Sequence, residues 1–209
     1  MFEQCPEIIS NLKGAVVVGA NAGQEINILC SYGVKNQIYF EPVVEAFSHL
    51  RYNLYNKTGK LRCYNYAISD VTGPRNFFMG METGNSSLFD LSPNRPPEHH
   101  HNKHKKEIEV YSITLDHFFA TEPEISSSDY NFLYIDTQGS ELLVLKGAEN
   151  FLNNVDFIYT EVSYYEIYKD GVLYEELNEF LNSKNFYKLY SRNIIPGPGQ
   201  EDIIYGRKN

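Results

Sequence analysis

The sequence predicts an α/β fold: a mostly parallel sheet with helices on both faces and a C-terminal antiparallel hairpin. Three observations predict it. Apolar runs of strand length alternate with runs that have helical spacing along most of the chain. A glycine-containing turn at residues 19–23 joins the first buried strand to a helix. The last two strand-like runs are separated only by turn residues, which is typical of an antiparallel pair at the edge of a parallel sheet.

In the first half of the chain, β-branched and aromatic runs predict strands, and apolar residues at helical spacing predict helices. Pro42 opens the second long helix, because proline fits the first helical turn. The predicted elements are a helix at 6–12, a strand at 15–18, a helix at 24–32, a strand at 37–41, a helix from 42 to about 54, and strands at 61–68 and 75–79.

Residues 82–106 break this alternation, because they are polar and contain three prolines, four histidines and three lysines. A stretch of this length without predicted structure is usually a functional lid or a disordered insertion. The sequence therefore predicts one domain over residues 1–209 that carries an inserted loop at about 82–106.

The second half resumes the alternation and adds the closing hairpin. The predicted elements are a strand at 107–113, a short helix at 115–119, a strand at 132–136, a helix at 140–147 with a further turn to 152, a strand at 157–162, a helix at 173–182, and strands at 186–191 and 202–205, the last two joined by a turn at 195–199.

Composition limits the classes of partner and compartment. The net charge of −9 argues against a nucleic-acid partner, since binding to phosphates needs clustered Lys and Arg. The cysteines at positions 5, 30 and 63 are odd in number and form no CxxC pair, which favours a reducing compartment over a disulfide framework or a zinc site. No apolar run reaches the ~20 residues that span a bilayer. We therefore expect a cytoplasmic protein without a membrane span.

The turn at residues 19–23 is the first candidate binding element. Gly19 and Gly23 lack the Cβ atoms that would block a ligand from the backbone, and N–H groups at the helix start can receive a polar group. Glu41 ends the second strand roughly 20 residues later, a spacing that suits a carboxylate on ribose hydroxyls. The alternatives are a glycine turn that only aids packing, and a Glu41 that only places charge at the next helix N-terminus.

Carboxylates follow three other predicted strands, at Asp70, Asp136 and Glu161. Open α/β sheets bind ligands at the carboxyl ends of their strands. A carboxylate-rich edge suits a cationic or hydroxyl-bearing ligand. The alternatives are a turn-forming role for Asp70 and a helix cap or an ion pair for Asp136 and Glu161.

Eight segments, in order, resemble the motifs of one known family. They are GANAGQE, YFEP, HLRYN, YAISD, NSSL, SITLD, LYIDTQGSELLVLKGAENFL and YTEV. Over residue 15 to about residue 181 the chain resembles FkbM-type S-adenosylmethionine-dependent methyltransferases. The resemblance implies a class I, Rossmann-like methyltransferase fold with a seven-stranded sheet. It also implies methylation of a hydroxyl of a small molecule, commonly on a sugar or a polyketide. We expect a sugar or glycan, and a link to glycosyltransferases.

The same resemblance implies roles for individual residues. The implied cofactor contacts are Gly19, Ala20, Asn21 and Gly23 in the turn, Glu41 and Pro42 at the ribose, and Ala67, Ile68 and Ser69 near the adenine. Asp136 is placed beside the reacting centre. Val17 departs from the family pattern, where Asp is common, so we expect one amine or water contact to the cofactor to be made differently here. Gln138 departs as well, because many members have Glu at that position.

An alcohol is too weakly acidic to ionise in advance, so a base within ~3 Å should take its proton during methyl transfer. Asp136 is the first candidate and Glu161 the second, whereas Glu141 already suits the start of a helix. Four polar residues are expected at the acceptor, or are otherwise ordinary loop and helix-start residues: Ser86, Ser87, Gln138 and Tyr164.

The histidines at 99–101 and 104 could bind a metal or act as bases, but their Pro- and Lys-rich setting favours a solvated segment. No metal site is predicted, although Asp136 and Glu161 leave divalent-metal dependence open.

Two other functions remain open at this point. One is a cofactor-binding module without catalysis that serves a glycan-building assembly. The other is a nicotinamide dehydrogenase, which shares the strand, glycine turn and acidic residue. The turn GANAG lacks the GxGxxG spacing of that class, which disfavours the dehydrogenase.

Overall fold

A computed structural model of the chain describes residues 6–194 and 199–208. Its strands are β1 (Gly14–Val18), β2 (Asn36–Phe40), β3 (Lys60–Tyr64), β4 (Ala67–Ile68), β5 (Gly73–Gly80), β6 (His104–Ile113), β7 (Phe132–Ile135), β8 (Phe157–Ser163), β9 (Phe186–Asn193) and β10 (Gln200–Arg207). Its α-helices are α1 (Pro6–Ile9), α2 (Ile26–Ser31), α3 (Val44–Leu54), α4 (Leu115–Thr121), α5 (Glu141–Lys146) and α6 (Tyr174–Ser183).

Seven strands form the main sheet in the order β3-β2-β1-β7-β8-β10-β9. The pairs among β3, β2, β1, β7 and β8 are parallel, whereas β10 runs antiparallel to β8 and to β9. The predicted fold class, with its C-terminal antiparallel hairpin, is therefore confirmed. The turn predicted at 195–199 lies outside the described residues except for Gly199.

The central strand β1 is buried on both faces, which explains its unbroken apolar run. Val16 and Val18 belong to a core shared with α4, α5 and α6. Ala15 and Val17 belong to a second core shared with α1, α2 and α3. Because successive strand residues point to opposite faces, one short strand anchors both helical layers.

The prediction of a single strand at 61–68 is wrong, because the chain leaves the main sheet after Tyr64. The Asn65 side-chain amide donates to the carbonyl oxygens of Glu41 at 2.8 Å and Pro42 at 2.9 Å, which fixes the bend. Beyond it, β4 joins a second sheet of order β4-β6-β5, in which β5 and β6 are antiparallel. This small sheet lies outside the predicted seven-stranded sheet.

The inserted segment predicted at 82–106 is a loop for most of its length, but it has structure of its own. Short 3₁₀ turns lie at Thr83–Asn85 and Pro97–His99, and β6 already begins at His104. The Arg95 guanidinium donates to the carbonyl oxygens of Ser92 at 2.8 Å and Asn102 at 3.3 Å. Polar side chains thus order this segment through local backbone hydrogen bonds, which hydrophobic periodicity does not reveal.

Within the described ranges, no helix combines the length and the apolar character needed to cross a membrane.

Candidate active site

A cleft of about 800 Å³, its open mouth included, lies at the carboxyl ends of β1, β2 and β7. The main sheet forms its floor, and β4, β5 and the 3₁₀ turn at Thr83–Asn85 form the opposite wall. Six of the predicted cofactor residues line it: Gly19, Asn21, Glu41, Pro42, Ala67 and Ile68. This position is where open α/β sheets bind ligands.

The two glycines of the turn have different surroundings. Gly19 has φ +78°, and a Cβ there would lie 1.8 Å from the carbonyl oxygen of Asp136, so glycine lets the turn meet the end of β7. A Cβ on Gly23 would lie 2.4 Å from Cδ1 of Ile26, and Gly23 lies outside the lining of the cleft. Gly23 therefore fits the alternative reading, in which a glycine in this turn only aids packing. Ala20 is likewise buried outside the cleft.

The backbone N–H groups of this turn are engaged within the protein. Those of Gly19 and Ala20 donate to the carbonyl oxygen of Phe40 at 3.1 and 3.0 Å, and that of Gly23 donates to Ala20 at 2.7 Å. The N–H of Asn21 donates to Glu41. These four N–H groups are therefore not free to bind a ligand.

Glu41 joins the glycine turn to α3. Its Oε2 accepts from the Asn21 N–H at 2.8 Å, and its Oε1 accepts from the Val43 N–H at 2.8 Å. Burial raises the pKa of this carboxyl group to about 7, although the two N–H donors lower it. Each oxygen keeps a second lone pair, so the carboxylate can also accept from a ligand hydroxyl.

Glu25 is a cleft residue that the sequence analysis missed. It lines the cleft, and its buried Oε2 has no hydrogen-bond partner among the described residues. Burial raises its pKa to about 7. An unpaired buried carboxylate oxygen calls for an explanation, and a bound ligand supplies one. In the sequence Glu25 is the last residue of the GANAGQE segment, shortly after the glycine turn.

Asp136 lies at the end of β7 and faces the cleft. Its Oδ1 accepts from the Gln138 amide at 2.7 Å. Burial raises the pKa of Asp136 to about 6, while that hydrogen bond lowers it. The carboxyl group is therefore ionised at neutral pH and available as a proton acceptor.

Gln138 is fixed by several contacts. Its backbone adopts φ +55°, its carbonyl oxygen accepts from Ser87 Oγ at 2.7 Å, and its Oε1 accepts from the Tyr168 hydroxyl at 2.9 Å. These bonds fix the amide so that its NH₂ group faces Asp136. Gln138 thus orients a candidate base, and Ser87 acts through Gln138 without lining the cleft.

Glu141 is a structural residue, as its predicted place at a helix start indicated. Its Oε1 accepts from the N–H groups of Thr137 at 3.0 Å and Gly139 at 3.1 Å, and from Thr137 Oγ1 at 3.2 Å. One carboxylate oxygen therefore holds the whole turn between β7 and α5.

Glu161 lies in a second cavity, of about 640 Å³ including its open mouth. Its Oε1 accepts from the Gln200 amide at 2.6 Å, and burial together with nearby carboxylates raises its pKa well above the usual range. Gln138 lines both cavities, so the two adjoin there. The two candidate bases therefore face neighbouring spaces.

The histidine segment is not uniformly solvated as expected. His99 is only 6 % exposed, lines the second cavity, and has no hydrogen-bond partner for Nε2 among the described residues. His104 Nδ1 lies 2.9 Å from an Asp90 carboxylate oxygen. The expectation of a solvated segment is therefore wrong for His99. The sequence does not reveal this, because His99 stands beside the exposed His100 and His101 in one polar run.

The remaining predicted residues lie at the margin of the site or outside it. Ser86 lines the cleft, and its Oγ accepts from the Gly80 N–H at 3.0 Å. Ser69 is fully buried and accepts from Ser112 Oγ at 3.0 Å, outside the cleft lining. Tyr164 packs against Tyr174 with ring centroids 4.9 Å apart and lines neither cavity.

Within residues 6–194 and 199–208, no three His, Cys, Asp or Glu side chains are grouped so that they could hold a metal ion.

Comparison with known proteins gives two kinds of result. A family model described as the methyltransferase FkbM domain matches residues 18–188. The 2-O-methyltransferase NoeI of Sinorhizobium fredii is 27% identical over 184 residues, which cover 85% of this chain and 74% of that protein.

Solved structures show the fold at lower identity. TrmK of M. capricolum, in complex with S-adenosylhomocysteine, superposes with a TM-score of 0.52 at 11% identity, covering 98% of this chain and 67% of that one. A 1,6-didemethyltoxoflavin-N1-methyltransferase of Burkholderia thailandensis gives 0.51 at 9% identity, covering 94% and 71%. The fold is therefore that of class I methyltransferases.

Proposed function

The chain belongs to the FkbM methyltransferase family, and from this premise we propose that it is an S-adenosylmethionine-dependent O-methyltransferase acting on a hydroxyl of a sugar or glycan. One observation carries the proposal. A cleft edged by carboxylates contains Asp136, and it adjoins a second polar cavity at Gln138. In this arrangement the cleft would hold the cofactor, and Asp136 would serve as the base beside Gln138, which both cavities share. The printed activity of NoeI supports methylation at oxygen.

The donor groups of the cleft fit S-adenosylmethionine, which carries a sulfonium and an ammonium charge. The unpaired Oε2 of Glu25 would hold the ammonium group, which supplies the amine contact that Val17 cannot make. Glu41 would accept from the ribose hydroxyls. Ala67 and Ile68 offer an apolar wall for the adenine ring. Two carboxylates would thus contact the cofactor, one at its ammonium group and one at its ribose.

When bound, the cofactor supplies an electrophilic methyl carbon on a sulfonium. Transfer of this methyl group to an acceptor oxygen would leave the electron pair of the broken carbon–sulfur bond on sulfur. The hydroxyl proton passes to Asp136, whose Oδ1 accepts a hydrogen bond from the Gln138 amide at 2.7 Å. Because this displacement needs little covalent help, holding the acceptor close to the methyl group supplies much of the rate.

Calorimetric titration tests the cofactor first. The purified protein is titrated with S-adenosylhomocysteine, S-adenosylmethionine and NADH. We expect micromolar binding of the first two and none of NADH. Binding of NADH alone would replace the proposal by a dehydrogenase, and binding of none would remove it.

Transfer of a labelled methyl group from S-adenosylmethionine to a panel of sugars and oligosaccharides tests the reaction. We expect label in an alkali-stable ether, as O-methylation requires. A protein that binds the cofactor but labels no hydroxyl in any sugar would support the non-catalytic binding module instead.

A further inference from the structure

The second cavity has a chemistry that the proposed function leaves unassigned. Its lining includes acidic, imidazole and amide side chains. Among them are Glu82, Glu98, Glu161, the buried His99, Gln138 and Asn102. It meets the cofactor cleft at Gln138, whose amide is bonded to Asp136. A molecule in this cavity therefore lies next to Gln138, which is one hydrogen bond away from Asp136.

The charge of the cavity favours one class of acceptor. Glu82 and Glu98 are the exposed acidic residues of this lining, whereas Glu161 lies half-buried on β8 with a raised pKa. The described lining contains no Lys or Arg to balance the charges of Glu82 and Glu98. A phosphate or carboxylate on the acceptor would be repelled, whereas an ammonium group would be attracted.

The lining also favours hydroxyl groups over apolar surface. Ile167 is its one aliphatic residue among those described, and the other residues offer carboxylate, amide or imidazole groups. Small-molecule sites are usually lined mostly by apolar side chains. A lining this polar suits a ligand that carries many hydroxyls.

His99 is the second, independent observation that points to a ligand. The side chain is 94 % buried, since only 6 % is exposed, yet Nε2 has no partner within the described chain. Arg95 Nε donates to the His99 carbonyl oxygen at 3.1 Å, and the Asn102 N–H donates to the same oxygen at 3.0 Å, so the residue is held in place. Burial lowers the pKa of His99, which leaves a neutral imidazole able to exchange a hydrogen bond with a hydroxyl.

We propose that this cavity is the acceptor site and that it selects a hydroxylated acceptor with an amino group, the chemistry of an amino sugar. His99 Nε2 bonds to an acceptor hydroxyl, and the carboxylates of Glu82 and Glu98 face the ammonium group. The assignment rests on the proposed function, because it needs a cofactor in the adjoining cleft.

A matched set of sugars tests the charge preference. The protein, saturated with S-adenosylhomocysteine and carrying ¹⁵N-labelled histidine, is titrated with the methyl glycosides of glucosamine, glucose and glucuronic acid. We expect the glucosaminide to shift the His99 imidazole signals and to bind about tenfold more tightly than the glucoside. The glucuronide should leave those signals unchanged. His99→Gln assigns the signals.

Two sets of variants test the residues. The double variant E82Q/E98Q should lower the preference for glucosaminide over glucoside about fivefold. The double variant E175Q/E176Q, which makes the same charge change at the start of α6, should leave it unchanged. His99→Phe should weaken binding of both sugars about tenfold, whereas His99→Gln, which keeps a hydrogen-bonding group, should restore most of it.

Three results would overturn the acceptor assignment: a glucuronide that binds as tightly as the glucosaminide, a His99 signal that no probe moves, or an E82Q/E98Q variant that behaves like its control. Each leaves the methyltransferase proposal standing, provided that S-adenosylhomocysteine binds. Failure of S-adenosylhomocysteine to bind would instead defeat the proposed function itself.

Discussion

Asp136 lies among several buried or half-buried carboxyl groups that act on one another. Its negative charge contributes to raising the pKa of four neighbours: Glu25, Glu41, Glu141 and Glu161. Burial is the larger cause in each case. Burial raises the pKa of Asp136 itself to about 6. Asp136 is the candidate base because it lines the cleft at the end of β7 and is oriented by Gln138.

Asp136→Asn should lower methyl transfer at least about 100-fold, because a positioned base contributes roughly 10²- to 10⁴-fold. The asparagine Oδ1 can still accept from Gln138, so the turn should keep its shape. In the unsubstituted protein, kcat/KM should rise with pH through about 6 as Asp136 ionises. Initial rates with labelled cofactor measure both effects.

Titration with S-adenosylhomocysteine is the control for Asp136→Asn, and its affinity should stay within about threefold. Retention of the wild-type rate by this variant would transfer the base role to another group, with Glu161 the next candidate.

Glu25→Gln should weaken binding of S-adenosylmethionine about tenfold, because it removes the charge that faces the ammonium group. Glu45→Gln is the matched control, since Glu45 is an exposed acid in the first turn of α3. Calorimetry compares the two variants. Equal affinities would mean that the unpaired Oε2 of Glu25 serves something other than the cofactor.

At the scale of elements, the contact between the end of β1 and the end of β7 sets the geometry of the cleft. Gly19 makes this contact possible, because its missing Cβ leaves room for the Asp136 carbonyl. The Asp136 N–H also donates to the Val18 carbonyl oxygen at 3.0 Å. The cofactor turn and the candidate base are therefore fixed to each other through backbone atoms.

Gly19→Ala should lower the free energy of unfolding by about 3 kcal/mol or more, since the new Cβ adds a backbone clash to a positive φ. Gly33→Ala isolates the effect of the positive φ, because Gly33 has nearly the same φ, +77°, and no atom within 4 Å of the added Cβ. It should cost about 1 kcal/mol. Urea denaturation measures both variants, and equal losses would contradict the clash.

The main sheet could be predicted because its central strands, such as β1 and β7, are buried apolar runs bounded by turn or helix-start residues. The spacing from the glycine turn to Glu41 also placed a carboxylate in the cleft. The small sheet was missed, because β4 has only two residues and Asn65 redirects the chain through side-chain bonds. Hydrophobic periodicity does not reveal such side-chain hydrogen bonds.

The site was predicted unevenly for the same reason. Asp136 could be found because a carboxylate directly after a buried strand is rare without a purpose. Glu25 looks like an ordinary charge at a helix start, and His99 stands in a polar run whose other members are exposed. Burial distinguishes these two residues from their neighbours, and burial here depends on contacts far away in the chain.

At the scale of the whole molecule, the buried carboxyl groups link stability and binding to pH. The folded-state pKa of Glu41 and of Glu141 is about 7, above the ordinary value of 4.5. The folded protein therefore holds protons that the unfolded chain has released. Stability from these groups is complete below about pH 4.5 and is lost as pH rises through about 7.

The free energy of unfolding of the unliganded protein should consequently fall between pH 5 and pH 7.5, with each such group contributing up to about 3 kcal/mol. Denaturation at several pH values measures the fall, and the variant Glu141→Gln should show a smaller one. A free energy that rises across this interval would contradict the prediction.

Binding of S-adenosylmethionine near pH 6.5 should release protons, because its positive charges favour the ionised carboxylates. Calorimetry in buffers of different ionisation enthalpy counts them. S-adenosylhomocysteine lacks the sulfonium charge and should release fewer, which makes it the control. Equal release by the two ligands would place the sulfonium away from the carboxylates.

The cleft lies between two distinct sheets. The main sheet supplies the floor with the glycine turn and Asp136, whereas the small sheet and the segment at residues 83–102 supply the opposite wall and most of the second cavity. That wall enters between β3 and β7 as one continuous stretch of sequence. One segment of the chain, residues 73–104, consequently lines both cavities, so a change of sequence there can alter the shape of both without altering a strand of the main sheet.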